Sequence, residues 1–298
     1  MNDTKRVFNI VGGLILLLLM IVTIYGLCSF NTAHSYEVIN QYGENIRIWG
    51  AGIYAHDSYF KAPIFIGSDF TILICGVPLL IVTFFRAKKS NVTEYNIRMI
   101  EILSLLLYYS ASLCFGVTYN SLHLVYIMLF GILFFSTSII FLKLHTVSVQ
   151  KQKVCSLFMT KGMKIFLLTS GTALLVAWLP DIITSIVRGT SLELIEVYTT
   201  EITYVLDMGV ISPLIFLTYY LIKHGYFIGY VLLRMLFRIC MVIGIMLPVQ
   251  TFFQLVAGIS IPIPALITKV FIFILLAVFA AFFDYRLKHG TEYAEELS

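Results

Sequence analysis

Three aspartates stand inside long apolar stretches of this sequence. Asp69 lies in a run that has no further charge before Arg86. Asp181 directly follows a proline, and Asp207 is surrounded by apolar residues. A carboxylate within a lipid bilayer is costly unless it has a partner or faces a cavity. Three such groups brought together would bind a cation, a metal or a basic ligand group, and mutual repulsion would let one of them carry a proton.

Several polar residues are expected on the same side of the membrane as these aspartates. A rise of about 1.5 Å per helical residue places all three carboxylates in the outer third of their spans. Tyr119 and Asn120 lie in a predicted external turn, and His56 and Asp57 lie in the predicted external loop before Asp69. We therefore predict one outward-facing polar pocket. Whether the loop folds into it or projects from it stays open.

Arg238 has two competing interpretations. It lies 14 residues after His224, and Asp207 lies 17 residues before it, so a buried Asp207–Arg238 pair fits two antiparallel spans. Alternatively, Arg234 and Arg238 both reach the cytoplasmic interface from a helix that lies on the membrane surface. In the first interpretation Arg238 biases the charge of the pocket.

The composition places the chain among integral membrane proteins. Of its 298 residues 59% are hydrophobic and 12% are charged, against about 25% charged residues in a soluble domain. The long apolar segments exclude a barrel of short alternating strands. The sequence contains no nucleotide-binding, hydrolase or zinc-protease motif, and the basic residues follow the predicted cytoplasmic face. We therefore expect no nucleic-acid partner, and we assign neither a cofactor nor a metal.

The predicted fold is all-α: a polytopic transmembrane helix bundle that forms a single domain over residues 1–298. Stretches of about 20 apolar residues are long enough to cross the bilayer as helices. There are about eight, over residues 7–30, 63–85, 102–117, 124–142, 165–186, 203–222, 226–257 and 265–283.

The basic residues predict the orientation of these spans. Of the 20 lysines and arginines, only Arg47, Lys61 and Arg188 lie in predicted external segments. Cytoplasmic loops carry the excess of positive charge in membrane proteins. Both termini are therefore predicted to be cytoplasmic. The segment from Tyr226 to Phe237 is the least certain part, because it also fits an interfacial helix.

Short motifs in the chain resemble an uncharacterised family of bacterial multi-pass inner-membrane proteins. They occur at residues 52–57, 67–69, 77–80, 108–110, 115–120, 178–181 and 204–207. The resemblance implies a helical protein of the bacterial inner membrane with acidic residues near one face and a basic residue in the seventh span, which Arg238 matches. It implies no substrate.

Three functions are compatible with this pattern. The leading hypothesis is a transporter or receptor-like protein whose pocket binds a small cationic or polar ligand. In it Asp69, Asp181 and Asp207 carry the charge, and Tyr119 and Asn120 form hydrogen bonds. The second hypothesis is an intramembrane enzyme that holds a divalent metal against a lipid or polyprenyl headgroup. The third is a partner subunit or immunity-type protein that binds no ligand.

Overall fold

The chain folds into a bundle of long helices with one small hairpin. The computed structural model describes residues 2–86, 91–148 and 159–296. The first elements are α1 (Asn2–Cys28), β1 (Tyr36–Ile39), β2 (Asn45–Ile48), α2 (Ala62–Thr71), α3 (Val77–Arg86), α4 (Val92–Gly116) and α5 (His123–Ser148). They are followed by α6 (Lys161–Arg188), α7 (Ile202–Leu206), α8 (Ser212–Lys223), α9 (Phe227–Val256), α10 (Ile263–Ala265) and α11 (Ile272–Glu296).

Wide π turns join three pairs of these helices. Ile72–Gly76 connects α2 to α3, Asp207–Ile211 connects α7 to α8, and Leu266–Phe271 connects α10 to α11. In the first two turns a proline follows directly, at the second residue of the next helix. Proline has no N–H to donate within a helix. Such π turns often mark functional sites, and the second one begins at Asp207.

Seven helices within the described ranges are long and apolar enough to cross a membrane. They are Ile10–Cys28, Ala62–Phe85, Val92–Gly116, His123–Val147, Lys161–Arg188, Ile202–Lys223 and Phe227–Val256. The predicted helical bundle is therefore confirmed, and these helices coincide with seven of the eight predicted stretches. The eighth stretch, 265–283, lies in the α10–α11 region and is not among the seven. The orientation and the cytoplasmic termini stay predictions.

Helices α4 and α9 form the centre of the bundle. Most of their residues are buried, whereas only 28% of the span window is buried in α5, in α6 and in the span made by α7 and α8. Helix α9 packs against α2, α4, α8 and α11. It is continuous over Phe227–Val256, and residues 228–237 are all buried. A separate surface helix over Tyr226 to Phe237 does not fit this packing.

Two loops form an ordered cap over one end of the bundle. We call residues 29–61 and 189–201 the cap, and the end beneath it the loop end. Trp49 is fully buried in the cap and donates its indole N–H to the Ser29 carbonyl at 2.8 Å. Gly50 has φ 79°, and a Cβ there would lie 1.9 Å from the His34 carbonyl oxygen. Glycine is therefore required at this close approach.

The two halves of the cap are held together by polar contacts. Asn40 donates its side-chain amide to the Glu196 carbonyl at 2.9 Å. Lys61 forms an ion pair with Glu201, and the Ser58 hydroxyl donates to Glu196. The loop before α2 is thus packed into the protein, which answers the question that the sequence left open.

Candidate functional site

Asp207 lies in a buried aromatic setting at the start of the second π turn. The Tyr108 hydroxyl donates to its Oδ1 at 2.8 Å, and the Trp178 indole N–H donates to its Oδ2 at 3.0 Å. The residue is 5% exposed. Both hydrogen-bond donors are neutral, so they stabilise the carboxylate without compensating its charge.

An apolar cavity of about 60 Å³ opens beside Asp207, between α6, α8, α9 and α11. Among the residues that the structure describes, Asp207 is the only charged one that lines it. The other lining residues are Phe166, Leu167, Ser170, Leu174, Ile211, Ile215, Leu236, Ile239, Cys240, Ile243, Phe273 and Leu276. The walls are therefore suited to an apolar group, and the carboxylate is suited to a cation.

Asp181 is connected to this site through an aromatic pair. The Tyr204 hydroxyl donates to Asp181 Oδ2 at 2.7 Å. The Tyr204 ring stacks on Trp178, with ring centroids 4.8 Å apart. Trp178 in turn bonds Asp207. Asp181 is half-buried near the end of α6, so it lies at the rim of this site. Asp207 lies in the buried interior of the site.

Asp69 occupies a different place, enclosed on the other side of α4. The hydroxyls of Tyr54 and Tyr109 donate to its two carboxylate oxygens at 2.7 and 2.5 Å. Burial, with the nearby Asp69 charge, raises the pKa of Tyr54 well above its usual range, so this hydroxyl remains a donor. A Cβ at Gly26 would lie 1.6 Å from Asp69 Oδ2, so α1 packs directly on the carboxylate.

Asp57 is fully buried under the cap. Its Oδ1 accepts hydrogen bonds from the Thr118 backbone N–H and the Tyr198 hydroxyl, both at 2.9 Å. Its Oδ2 has no hydrogen-bond partner among the described residues. Burial raises the pKa of Asp57 to about 7, although both hydrogen bonds and the charge of Lys61 act in the opposite direction.

The remaining predicted ligand residues have separate settings. Tyr119 is 78% exposed, and its ring lies beside His123. Asn120 is buried, and its Oδ1 accepts from the Leu122 N–H at 2.9 Å, so it stabilises the turn between α4 and α5. His56 is exposed and contacts the Tyr36 hydroxyl through Nδ1 at 3.2 Å.

Arg238 does not pair with Asp207. Its Nη2 donates to Glu101 Oε2 on α4 at 3.0 Å. Arg234, which is also buried, contacts Glu101 Oε1 at 2.6 Å and Asp284 Oδ1 at 3.3 Å. The 2.6 Å contact brings the charges together without hydrogen-bond geometry. The predicted Asp207–Arg238 pair is therefore wrong, because sequence separation gives depth along a helix but not the direction a side chain faces.

The single shared pocket predicted from the sequence is divided by α4. Tyr108 and Tyr109 are consecutive residues, and they bond Asp207 and Asp69 respectively. Consecutive helical side chains point about 100° apart. The aspartates thus form two sites, one shared by Asp181 and Asp207 and one around Asp69. Tyr108, Tyr109 and Tyr204 were not among the predicted site residues, although tyrosine near a buried acid is a usable signal.

No family model, no curated protein and no solved structure matches the chain. The resemblance to a bacterial membrane family therefore stays a prediction. Within residues 2–86, 91–148 and 159–296, no group of three or more His, Cys, Asp or Glu side chains is placed to hold a metal ion. Function must be argued from the chemistry of the sites.

Proposed function

We propose that this protein spans a bacterial inner membrane with both termini in the cytoplasm, and that it binds a small cationic ligand beside Asp207. It would act as a transporter or a receptor-like sensor for that ligand. The cap and the aromatic pair of Trp178 and Tyr204 would lie on the external side, where the ligand enters. Asp181, at the rim, would attract the cation before it reaches Asp207.

The proposal rests on two features of Asp207: its uncompensated charge and the apolar cavity beside it. Its two oxygens accept only neutral donors, and no described residue forms an ion pair with it. Burying a charge without a partner costs several kcal/mol. A bound cation removes that cost, and the apolar walls favour a ligand that has a hydrocarbon part.

The size of the cavity indicates the class of ligand. A cavity of about 150 Å³ holds benzene, so one of about 60 Å³ accepts roughly two or three heavy atoms by proportion. An ionised carboxylate accepts about four hydrogen bonds, and two are already used. A primary ammonium group on a short alkyl chain fits both conditions, either as a free amine or as the end of a longer ligand.

Thermal unfolding in detergent tests this proposal. We expect methylammonium and ethylammonium chloride to raise the Tm of the purified protein in a saturable manner, because a ligand that binds only the folded state stabilises it. The matched neutral compounds, methanol and ethanol, should not raise it. Asp207→Asn should abolish the response. Cys240→Met, which fills the cavity and keeps the carboxylate, should weaken it.

Asp181→Asn is the matched control, since it removes a carboxylate at the rim and leaves the cavity intact. It should reduce the response less than Asp207→Asn. The proposal is wrong if the amines give no saturable shift, or if Asp207→Asn and Cys240→Met both respond as the unmodified protein does. Co-purification of a stoichiometric protein partner in that case would support the partner-subunit hypothesis.

A further inference from the structure

A second group of polar atoms lies beneath the cap, on the Asp69 side of α4. Asp57 Oδ2, the Thr118 hydroxyl and the Tyr126 hydroxyl are all buried and have no hydrogen-bond partner among the described residues. The side chains of Asp57 and Tyr126 are both 0% exposed. Buried polar groups are almost always satisfied in folded proteins, so several such atoms close together indicate a bound species.

These atoms are neighbours in space. The Thr118 N–H bonds Asp57 Oδ1 at 2.9 Å, and the Thr118 hydroxyl faces the same carboxyl group. The Tyr126 hydroxyl faces the Tyr54 hydroxyl and the Asn120 side chain. Tyr54 belongs to the same tight turn as Asp57, whose N–H donates to the Tyr54 carbonyl at 3.0 Å. Three segments of the chain therefore converge here.

Acidic groups outnumber basic ones around this group. Asp57 and Asp69 are fully buried, and Glu196 and Glu201 belong to the cap above them. The nearby cation among the described residues is Lys61, which is engaged with Glu201 and lies 4.2 Å from the centre of the Tyr198 ring. Lys61 is therefore paired outside this group, and Asp57 Oδ2 remains available to a further cation.

We infer that Asp57, Thr118 and Tyr126 bind a monovalent alkali cation. The available ligand atoms are a carboxylate oxygen and two neutral hydroxyl oxygens, which are the hard ligands that such ions accept. One carboxylate with neutral oxygens balances a single charge. Asn120 supports the site by fixing the turn that carries Thr118. This site lies apart from the Asp207 cavity and does not depend on the amine proposal.

The response of thermal stability to salt identity tests the inference. The full-length protein in detergent is unfolded in NaCl, in KCl and in N-methyl-D-glucamine chloride at one ionic strength. We expect Na⁺ or K⁺ to raise the Tm by about 2 to 4 °C relative to the bulky organic cation, with saturation. The comparison between the two alkali salts shows which ion the site selects.

Two variants locate the response. Asp57→Asn should abolish it, and Tyr126→Phe, which removes only one hydroxyl, should weaken the apparent affinity by roughly tenfold. Thr137→Val is the matched control, because Thr137 also has a buried hydroxyl without a described partner, on α5 away from this group. It should keep the full cation response.

Equal stability in all three salts would overturn the inference, as would an unchanged response in both site variants. If Asp57→Asn does not fold, equilibrium dialysis with radiolabelled Na⁺ on Tyr126→Phe decides between weakened and unaltered binding. The response of these variants to ethylammonium should stay intact, so failure of this site and failure of the Asp207 proposal are distinguishable.

Discussion

Buried carboxylates at the two ends of the bundle have different hydrogen-bond and ion-pair partners. Near the loop end, Asp69 and Asp207 accept hydrogen bonds from tyrosine and tryptophan, and no described residue forms an ion pair with either of them. Near the other end, Glu101 contacts the guanidinium groups of Arg234 and Arg238.

This difference separates a structural role from a binding role. The network of Glu101, Arg234, Arg238 and Asp284 balances two negative charges with two positive ones and joins α4, α9 and α11. A bound ion adds nothing to a network that is already neutral. Asp69 and Asp207 have neutral donors only, so no basic side chain compensates either carboxylate.

Breaking the neutral network should have the largest effect on stability. Arg234→Gln leaves Glu101 and Asp284 with less positive charge in a buried place, and loss of one partner from a buried ion pair costs about 3–5 kcal/mol. We expect a loss of that size in the free energy of unfolding, measured by chemical denaturation in detergent. Tm should fall accordingly.

Arg98→Gln is the control for that variant. Arg98 pairs with Glu94 at 2.8 Å, but both side chains are about one third exposed, and exposed pairs of this kind contribute about 0.5 kcal/mol or less. A similar loss in Arg98→Gln and Arg234→Gln would contradict the structural role assigned to the network.

The pH dependence of stability should report on Asp57 at the loop end. Its pKa is raised in the folded protein to about 7 from 3.8, so the folded state binds its proton more tightly than the unfolded state does. The contribution of Asp57 to stability is therefore full below its unfolded pKa of 3.8 and is lost as pH rises to about 7. Between pH 5 and 6.5 we expect a slope of about −1.4 kcal/mol per pH unit from this group.

Asp57→Asn should remove that slope, because an amide does not titrate in this range. Unfolding measured in one detergent at several pH values between 5 and 8 provides the test, with N-methyl-D-glucamine chloride as the salt so that no alkali cation competes with the proton. Two other titratable groups lie next to Asp57, namely Lys61 and Tyr198. Burial raises the pKa of Tyr198 well above its usual range, so Tyr198 does not titrate below pH 8. An unchanged slope in Asp57→Asn would show that another group carries the effect.

Removing one hydroxyl from the Asp207 site should have a smaller effect. Tyr108→Phe leaves a buried carboxylate oxygen without its donor, and hydrogen bonds to charged groups contribute about 1.5–3 kcal/mol. We expect destabilisation of that size in the absence of ligand. Tyr119→Phe, at an exposed hydroxyl, should change stability by less than about 0.5 kcal/mol. Equal effects of the two changes would show that the Tyr108 hydroxyl does not stabilise the Asp207 carboxylate.

Hydropathy predicted the helices well, since a bilayer requires long apolar segments with satisfied backbones. Asp207 is buried and accepts hydrogen bonds from two neutral side chains. These partners were not predictable from spacing. The rotation of α9 turns Arg238 toward Glu101, and Tyr108 and Trp178 donate to Asp207 instead. The ordered cap was not predicted either, because its contacts join loops about 140 residues apart in the sequence.

Fluorescence of Trp178 tests the central claim most directly. The chain has two tryptophans, so Trp49→Phe leaves Trp178 as the only indole, and that indole donates to Asp207. Titration of this variant with ethylammonium should give a saturable change in emission that Asp207→Asn abolishes. A titration with no saturable change, or one that persists in Asp207→Asn, would contradict a cation site at Asp207.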